Sequence, residues 1–149
     1  MRVIYVDADA CPVKKEVYKV AMRNNIQVMV VSNGGIKPHH HPLINMQVVD
    51  EGLDAADDWI VANVVSKDLV VTNDIPLAAR CIKNGAKVIK PDGTKLDSSN
   101  IGSVLATRNL MTELRSADPL LKGRGKEFSI RDRSNFLNTL DAEIKRKSL

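Results

Sequence analysis

The sequence predicts an α/β domain in which helices cover both faces of a mainly parallel central sheet. Three observations lead there. Short apolar runs at 3–6, 27–31, 69–72 and 86–89 alternate with segments whose apolar residues recur at helical spacing. These runs are continuous rather than alternating, as strands buried on both faces require. The connections are mostly short, which suits strand–helix–strand units packed in three layers. At 149 residues the chain makes a single domain with room for a real core.

The first unit is MRVIYVDADACP, residues 1–12. Val3–Val6 reads as a strand that stops at Asp7, with Asp9 two residues on. If the chain stays extended, Asp7 and Asp9 point the same way, toward a crevice at the strand's C-terminal end. Pro12 suits the first turn of a helix running to Asn24, with Val13, Val17, Val20 and Ala21 on one face. Gln27–Val31 is the second strand, and Ser32-Asn33-Gly34-Gly35 is a turn. Residues 36–45 form a loop carrying His39, His40 and His41, and Met46–Val49 is a short strand.

Asp54 is placed to cap a helix beginning at Ala55, with Asp57 and Asp58 in its first turn and Ile60, Val61 and Val64 as its buried stripe. Leu69–Thr72 is a strand ending in Asn73-Asp74. Pro76 opens a helix to about Asn84, and Gly85 suits its C-terminal cap. Ala86–Ile89 is a further strand. Ser98 or Ser99 is a cap for a long helix over 100–116, whose docking face is Ile101, Val104, Leu105, Arg108, Met111 and Leu114. Pro119 ends it. A basic glycine-containing loop, LLKGRGKEFSI, leads to a last helix over 131–145 docked by Phe136, Leu137, Leu140 and Ile144.

Composition narrows the function classes. Aromatic residues are only 3%, so the core is aliphatic. No run approaches the ~18 apolar residues of a membrane span, and no signal segment precedes the first strand. Cys11 and Cys81 make no disulfide framework, which points to reduced thiols and a cytoplasmic protein. The net charge is +4. Residues 119–149 hold eight Lys and Arg against four acids, whereas residues 1–118 hold fourteen of each, so the whole excess lies in the last fifth. Basic surface near acidic loops suggests a polyanionic partner.

Acids collect at three strand ends or helix starts: Asp7 with Asp9, Asp54 with Asp57 and Asp58, and Asp74. Parallel strand ends bring distant segments together, and clustered carboxylates need a cation to offset their repulsion. An all-oxygen set suits Mg²⁺ or Mn²⁺, which supports hydrolysis of a phosphodiester by activated water. Asp54, Asp9 and Asp74 each have an alternative role as a helix cap. Adjacent Asp57 and Asp58 cannot both face one site, and Asp57, three residues after Asp54, is preferred.

Further residues extend the same reading. Ser32 and Asn33 are placed to contact a phosphate, or simply form a turn. Arg124, Lys126, Arg131 and Arg133 are placed to grip phosphates, or form a solvated basic surface. The three histidines and the two cysteines lack zinc-site spacing, and Cys11 fits a small buried side chain better than a nucleophile. Trp59 fits packing on the sheet, or on a partner in a homo-oligomer, better than stacking on a base.

The stretches VDADACPV, GLDAADDWI, DLVVTNDIPLA, NLMTELR and FSIRDRSNF span nearly the whole chain and resemble the YaiI/YqxD family, also called UPF0178 or DUF188. That family is similar in fold to PIN-like and NYN nucleases. The resemblance implies a PIN-like domain in which Asp7, Asp54, Asp57 and Asp74 bind metal or orient water, with Asp9 at the rim. It implies an RNA or single-stranded nucleic-acid substrate, with RNA slightly preferred.

Two other classes compete. D-x-D after an apolar strand also resembles haloacid-dehalogenase phosphatases, with Asp7 as nucleophile and Asp9 as general acid. Ala10 and Cys11 depart from that pattern, and no cap domain is evident. A non-catalytic nucleic-acid or protein-binding domain is the third class. A dinucleotide-binding domain is disfavoured, because no G-x-G-x-x-G follows the first strand.

Overall fold

The computed structural model describes residues 2–50, 52, 54–117 and 128–146. Arg124, Lys126 and Pro119, singled out above, lie outside the described residues. Among the described residues there are six strands and five α-helices, forming a single α/β domain around one sheet.

The chain opens with β1 (Val3–Asp7), α1 (Lys14–Asn24) and β2 (Gln27–Ser32). After β3 (Ile44–Val48) come α2 (Ala55–Asn63), β4 (Leu69–Val71), α3 (Ile75–Lys83) and β5 (Lys87–Ile89). It closes with β6 (Lys95–Leu96), α4 (Ile101–Ala117) and α5 (Ile130–Lys145). The sheet order is β3-β2-β1-β4-β5-β6, parallel except for β6. Successive strands therefore step outward to β3, and the chain then returns to the other side of β1. This reversal lies between β1 and β4, and the crevice outside their C-terminal ends is where open α/β sheets hold ligands.

Alternation along β1 shows how the core divides. Ile4 and Val6 join one apolar cluster, with Val17, Val20 and Ala21 of α1 and Phe136, Leu140 and Ile144 of α5. Tyr5 joins a second cluster, with Ala56 and Ile60 of α2 and Ile75, Leu77, Ala78 and Cys81 of α3. Burying a Leu or Phe side chain in such a cluster contributes about 1.5–3 kcal/mol. Cys11 and Cys81 are free and buried in these clusters. Burial pushes the Cys11 thiol up to about 11 and the Cys81 thiol to about 12, which suits packing rather than nucleophilic chemistry.

Several expectations are corrected. The chain does not stay extended past Asp7: residues 8–10 form a single 3₁₀ turn, so Asp7 and Asp9 do not project as strand neighbours. Asp54 occupies the cap position of α2 but makes no side-chain cap bond, and its backbone is left-handed at φ 67°. Neither Ser98 nor Ser99 begins α4 as expected. The Asp97 carboxylate instead accepts from the Ser99 and Asn100 backbone N–H groups at 2.9 and 3.2 Å. The two-residue β6 is too short to give a periodic signal in the sequence.

The largest departure is α4. Ile101, Val104 and Leu105 pack on the second cluster, but the outer turns do not follow. Leu110, Met111 and Leu114 are 55%, 38% and 43% exposed. The helix leaves the body after its second turn, so its apolar spacing does not imply docking along its whole length. By contrast α5 docks as its spacing predicts, and begins with a reciprocal cap between Ser129 and Asp132. Among the described residues no helix is long and apolar enough to cross a membrane.

Candidate active site at the β1–β4 crevice

Asp7 ends β1 and Thr72 directly follows β4, so both sit at the reversal of strand order. The Thr72 hydroxyl donates to Asp7 Oδ2 at 2.9 Å and accepts from the Asp74 backbone N–H at 3.0 Å. This one buried hydroxyl thus links the first-strand acid to the turn that starts α3. Asp74 caps α3, its Oδ1 accepting from the Leu77 backbone N–H at 3.0 Å. The T-N-D-x-P order explains the placement. Thr follows the buried strand, Asp is the cap, and Pro76 occupies the first turn, where no N–H is needed.

The third acid comes from α2. The carboxyl groups of Asp57 and Asp74 are in hydrogen-bonding contact. Burial, followed by repulsion from Asp74 and Asp7, pushes the Asp57 carboxyl up to about 7, with Asp54 adding to the same effect. Asp7 is also raised, mainly by burial, against the Thr72 hydrogen bond that lowers it, with Asp74 and Asp9 raising it further. Asp58 faces away and pairs with Arg80 at 2.9 Å. Asp57, and not Asp58, is thus the first-turn acid of α2 that meets Asp74, and Asp54 lies within electrostatic reach of Asp57.

Asp9 takes a different position. Its Oδ1 accepts from the Ser32 hydroxyl at 2.8 Å, and its Oδ2 from the Asn33 backbone N–H at 3.1 Å. Asp9, Ser32 and Asn33 therefore form one linkage between the 3₁₀ turn and the end of β2. Ser32 is fully buried, and its hydroxyl also accepts from the Gly34 backbone N–H. The Arg133 guanidinium is engaged with α1 and Phe128. It pairs with Glu16 at 2.6 Å, donates to the Pro12 carbonyl at 3.0 Å and lies over the Phe128 ring, joining α5 to α1. Arg131 is exposed at the start of α5.

A residue not singled out as functional completes the crevice. A cleft of about 360 Å³ is lined by Asp7, Asn73, Asp74, Ile75, Pro76 and Arg108. Arg108 and Ile75 also line an adjoining groove of about 470 Å³ along α4, where Lys90 and Arg115 add positive charge. The signal for Arg108 was its position on the apolar stripe of α4, which fits either a stem covering the core edge or a guanidinium facing a groove. Because α4 leaves the body, the groove is what it lines.

The remaining highlighted residues make contacts within the fold. His39 stacks on Tyr18, and His41 Nδ1 accepts from the Leu43 backbone N–H at 3.1 Å. Trp59 packs against Tyr5 with ring centroids 6.2 Å apart. Asp68, not anticipated, is buried and accepts from the Val3 and Val65 backbone N–H groups at 3.0 and 2.9 Å, tying the start of β1 to the turn before β4.

In charge and donor type the carboxylates of Asp7, Asp57 and Asp74 fit a hard divalent cation, which would offset the repulsion that raises Asp57. Among the described residues no group of three or more His, Cys, Asp or Glu is arranged to hold such an ion together.

Residues 5–146 match the profile described as the uncharacterized YaiI/YqxD family, DUF188. A UPF0178 protein of Cereibacter sphaeroides is 51% identical over 146 residues, covering 98% of this chain and 91% of the relative. One from Roseobacter denitrificans is 49% identical over 146 residues, covering 98% and 97%. One from Rhodopseudomonas palustris is 53% identical over 143 residues, covering 96% and 90%. No solved structure matches the chain significantly. On the profile match and these relatives, the chain belongs to the YaiI/YqxD family, UPF0178.

Proposed function

We propose that this protein is a divalent-metal-dependent phosphodiester hydrolase with a PIN-like, three-layer architecture, and that it cuts RNA or other single-stranded nucleic acid. One observation carries the reading. Carboxylates from three segments far apart in sequence, Asp7, Asp57 and Asp74, converge outside the β1–β4 ends beside the guanidinium-lined cleft of Arg108. Acids gathered at a crevice, with a cationic groove leading from it, suit a substrate that brings negative phosphates and a cation together.

The roles follow from position. Asp7 and Asp74 would hold Mg²⁺ or Mn²⁺, and Asp57 would orient the attacking water, with Asp54 at the rim. The bound ion would supply Lewis-acid charge at the phosphate and lower the pKa of water. Arg108, with Lys90 and Arg115 along the groove, would hold the phosphates and position the strand without reading its sequence. Asp9 would stabilise the turn beside the site. Its existing hydrogen bonds to Ser32 and Asn33 favour hydrolysis by water over a phosphoaspartate route, in which Asp9 would be the general acid.

The test is cleavage of labelled RNA and single-stranded DNA across a Mg²⁺ and Mn²⁺ titration, with Asp7→Asn and Asp74→Asn as paired variants. Wild type should cut only with metal, and each variant should fall by at least about 100-fold. Equal cutting by all three proteins would refute the site. Binding without any turnover would instead support a non-catalytic nucleic-acid domain.

A further inference from the structure

A second cavity lies on the α1 side of the molecule and shares no lining residue with the acidic crevice. It holds about 540 Å³ between α1 and the Gly35–His39 part of the β2–β3 connection, within the range of small-ligand sites. Its walls divide into two chemical sets. Tyr18, Met22 and Ile36 form an apolar floor continuous with the first core cluster, and the His39 ring lies over Tyr18 with centroids 4.9 Å apart. Around this floor stand Lys14, Lys15, Lys19 and Lys37.

Helix geometry accounts for the arrangement. Residues 15, 18, 19 and 22 share one face of α1, so Lys15 and Lys19 flank Tyr18 and Met22 one turn apart. Lys14 Nζ donates to the Ala8 and Cys11 carbonyls at 3.1 and 3.2 Å, which fixes one positive charge at the edge. Among the described residues no carboxylate pairs with Lys15, Lys19 or Lys37. The one acid of α1, Glu16, is paired with Arg133. Three unpaired ammonium groups thus border an apolar, aromatic-bearing hollow.

We propose that this cavity is a binding site for a nucleoside monophosphate unit. Its planar base would lie on the Tyr18–His39 pair and the floor of Met22 and Ile36, and its phosphate would be held by Lys15, Lys19 and Lys37. Both sets of residues are needed to select this chemistry. A bare inorganic anion would leave the apolar floor uncovered, and an uncharged base would leave the lysines unpaired. A planar aromatic body with a doubly charged group uses both. The site stands apart from the proposed hydrolysis, and neither depends on the other.

The experiment is titration of the full chain with adenosine 5′-monophosphate in EDTA, followed by backbone amide shifts and calorimetry. Inorganic phosphate and adenosine serve as separate arms. Adenosine monophosphate should shift amides at Lys15, Lys19, Gly35, Lys37 and His39. Phosphate alone and adenosine alone should each bind at least about tenfold more weakly. The triple variant Lys15→Ala/Lys19→Ala/Lys37→Ala alters only exposed side chains, so it should keep the wild-type circular dichroism spectrum while losing at least about tenfold in affinity. Asp7→Asn should bind as wild type does. Phosphate binding as tightly as the nucleotide would overturn the proposal in favour of a bare anion site. Unshifted cavity amides, or a triple variant that binds normally, would overturn it outright.

Discussion

The starts of α2 and α3 make an instructive pair. Each begins with an aspartate at the cap position. At α3 the cap is made: Asp74 accepts from Leu77, and its backbone is extended. At α2 it is not: Asp54 has a left-handed backbone and no side-chain cap bond, and the next acid along, Asp57, meets Asp74. The same residue type at the same position is held in place by backbone in one helix and makes no side-chain cap bond in the other. A cap that also faces a crevice is pre-positioned for chemistry, because the bond to Leu77 limits where its second oxygen can lie. The uncapped acid has no such constraint, and its contribution to the site is correspondingly less determined.

The largest test of this difference is activity. Asp74→Ala removes both a cation-holding carboxylate and the α3 cap. It should reduce metal-dependent cleavage by about 100-fold or more and lower stability by about 1 kcal/mol. Asp54→Ala removes neither a cap bond nor a carboxylate in contact with Asp74. It should reduce cleavage by no more than about tenfold and leave stability within about 0.5 kcal/mol of wild type. Parallel rate assays and urea melts decide the matter, and equal losses in the two variants would erase the distinction between the helix starts.

A smaller effect concerns the pH dependence of the metal-free protein. Asp57 is held near 7 in the folded chain, whereas an unfolded aspartate titrates near 3.8. Between these values the folded state binds more protons than the unfolded state, so stability falls as pH rises through the window. Below it the term vanishes, and above it the full penalty of the ionised carboxylate is present. Solvent reaches Asp57, so the penalty at pH 8 should be roughly 1 kcal/mol after screening. In EDTA, Asp57→Asn should therefore raise the melting midpoint at pH 8 and leave it unchanged at pH 3.5. Asp74→Asn should move the Asp57 titration, followed by carboxyl carbon NMR, to lower pH. An Asp57 titration that ignores Asp74 would separate the two acids.

The fold was legible because its strands are short, apolar and punctuated. Asp74 was legible for a related reason: TNDIP puts a strand end, a cap and a first-turn proline in consecutive positions. What could not be read depended on tertiary placement. Asp9 two residues after Asp7 looked like a strand neighbour, and only its bonds to Ser32 and Asn33, more than twenty residues away, show why the chain turns there. The stripe of Arg108, Met111 and Leu114 has the same period whether α4 lies on the body or leaves it, so neither their exposure nor the part played by Arg108 in the crevice followed from spacing. The lysines of α1 carry no signal of their own in the sequence. Their relation to Lys37 and His39 arises only when the β2–β3 connection folds over that helix.

The smallest expected effect isolates the strain at the α2 start. Left-handed backbone is unfavourable for any residue with a Cβ, and an aspartate there is tolerated mainly because its short side chain bonds locally. Asp54 lacks the cap bond that would provide that compensation. Asp54→Gly should therefore relieve the backbone at φ 67° and stabilise the chain by about 0.5 kcal/mol, a gain reduced by the greater freedom of glycine in the unfolded state. Asp54→Ala keeps the Cβ and should give no such gain, so the difference between the two variants reads the backbone term separately from the lost charge. If Asp54→Gly instead destabilises the protein, the Asp54 side chain supports the start of α2 in solution, and the two helix starts are more alike than their cap bonds indicate.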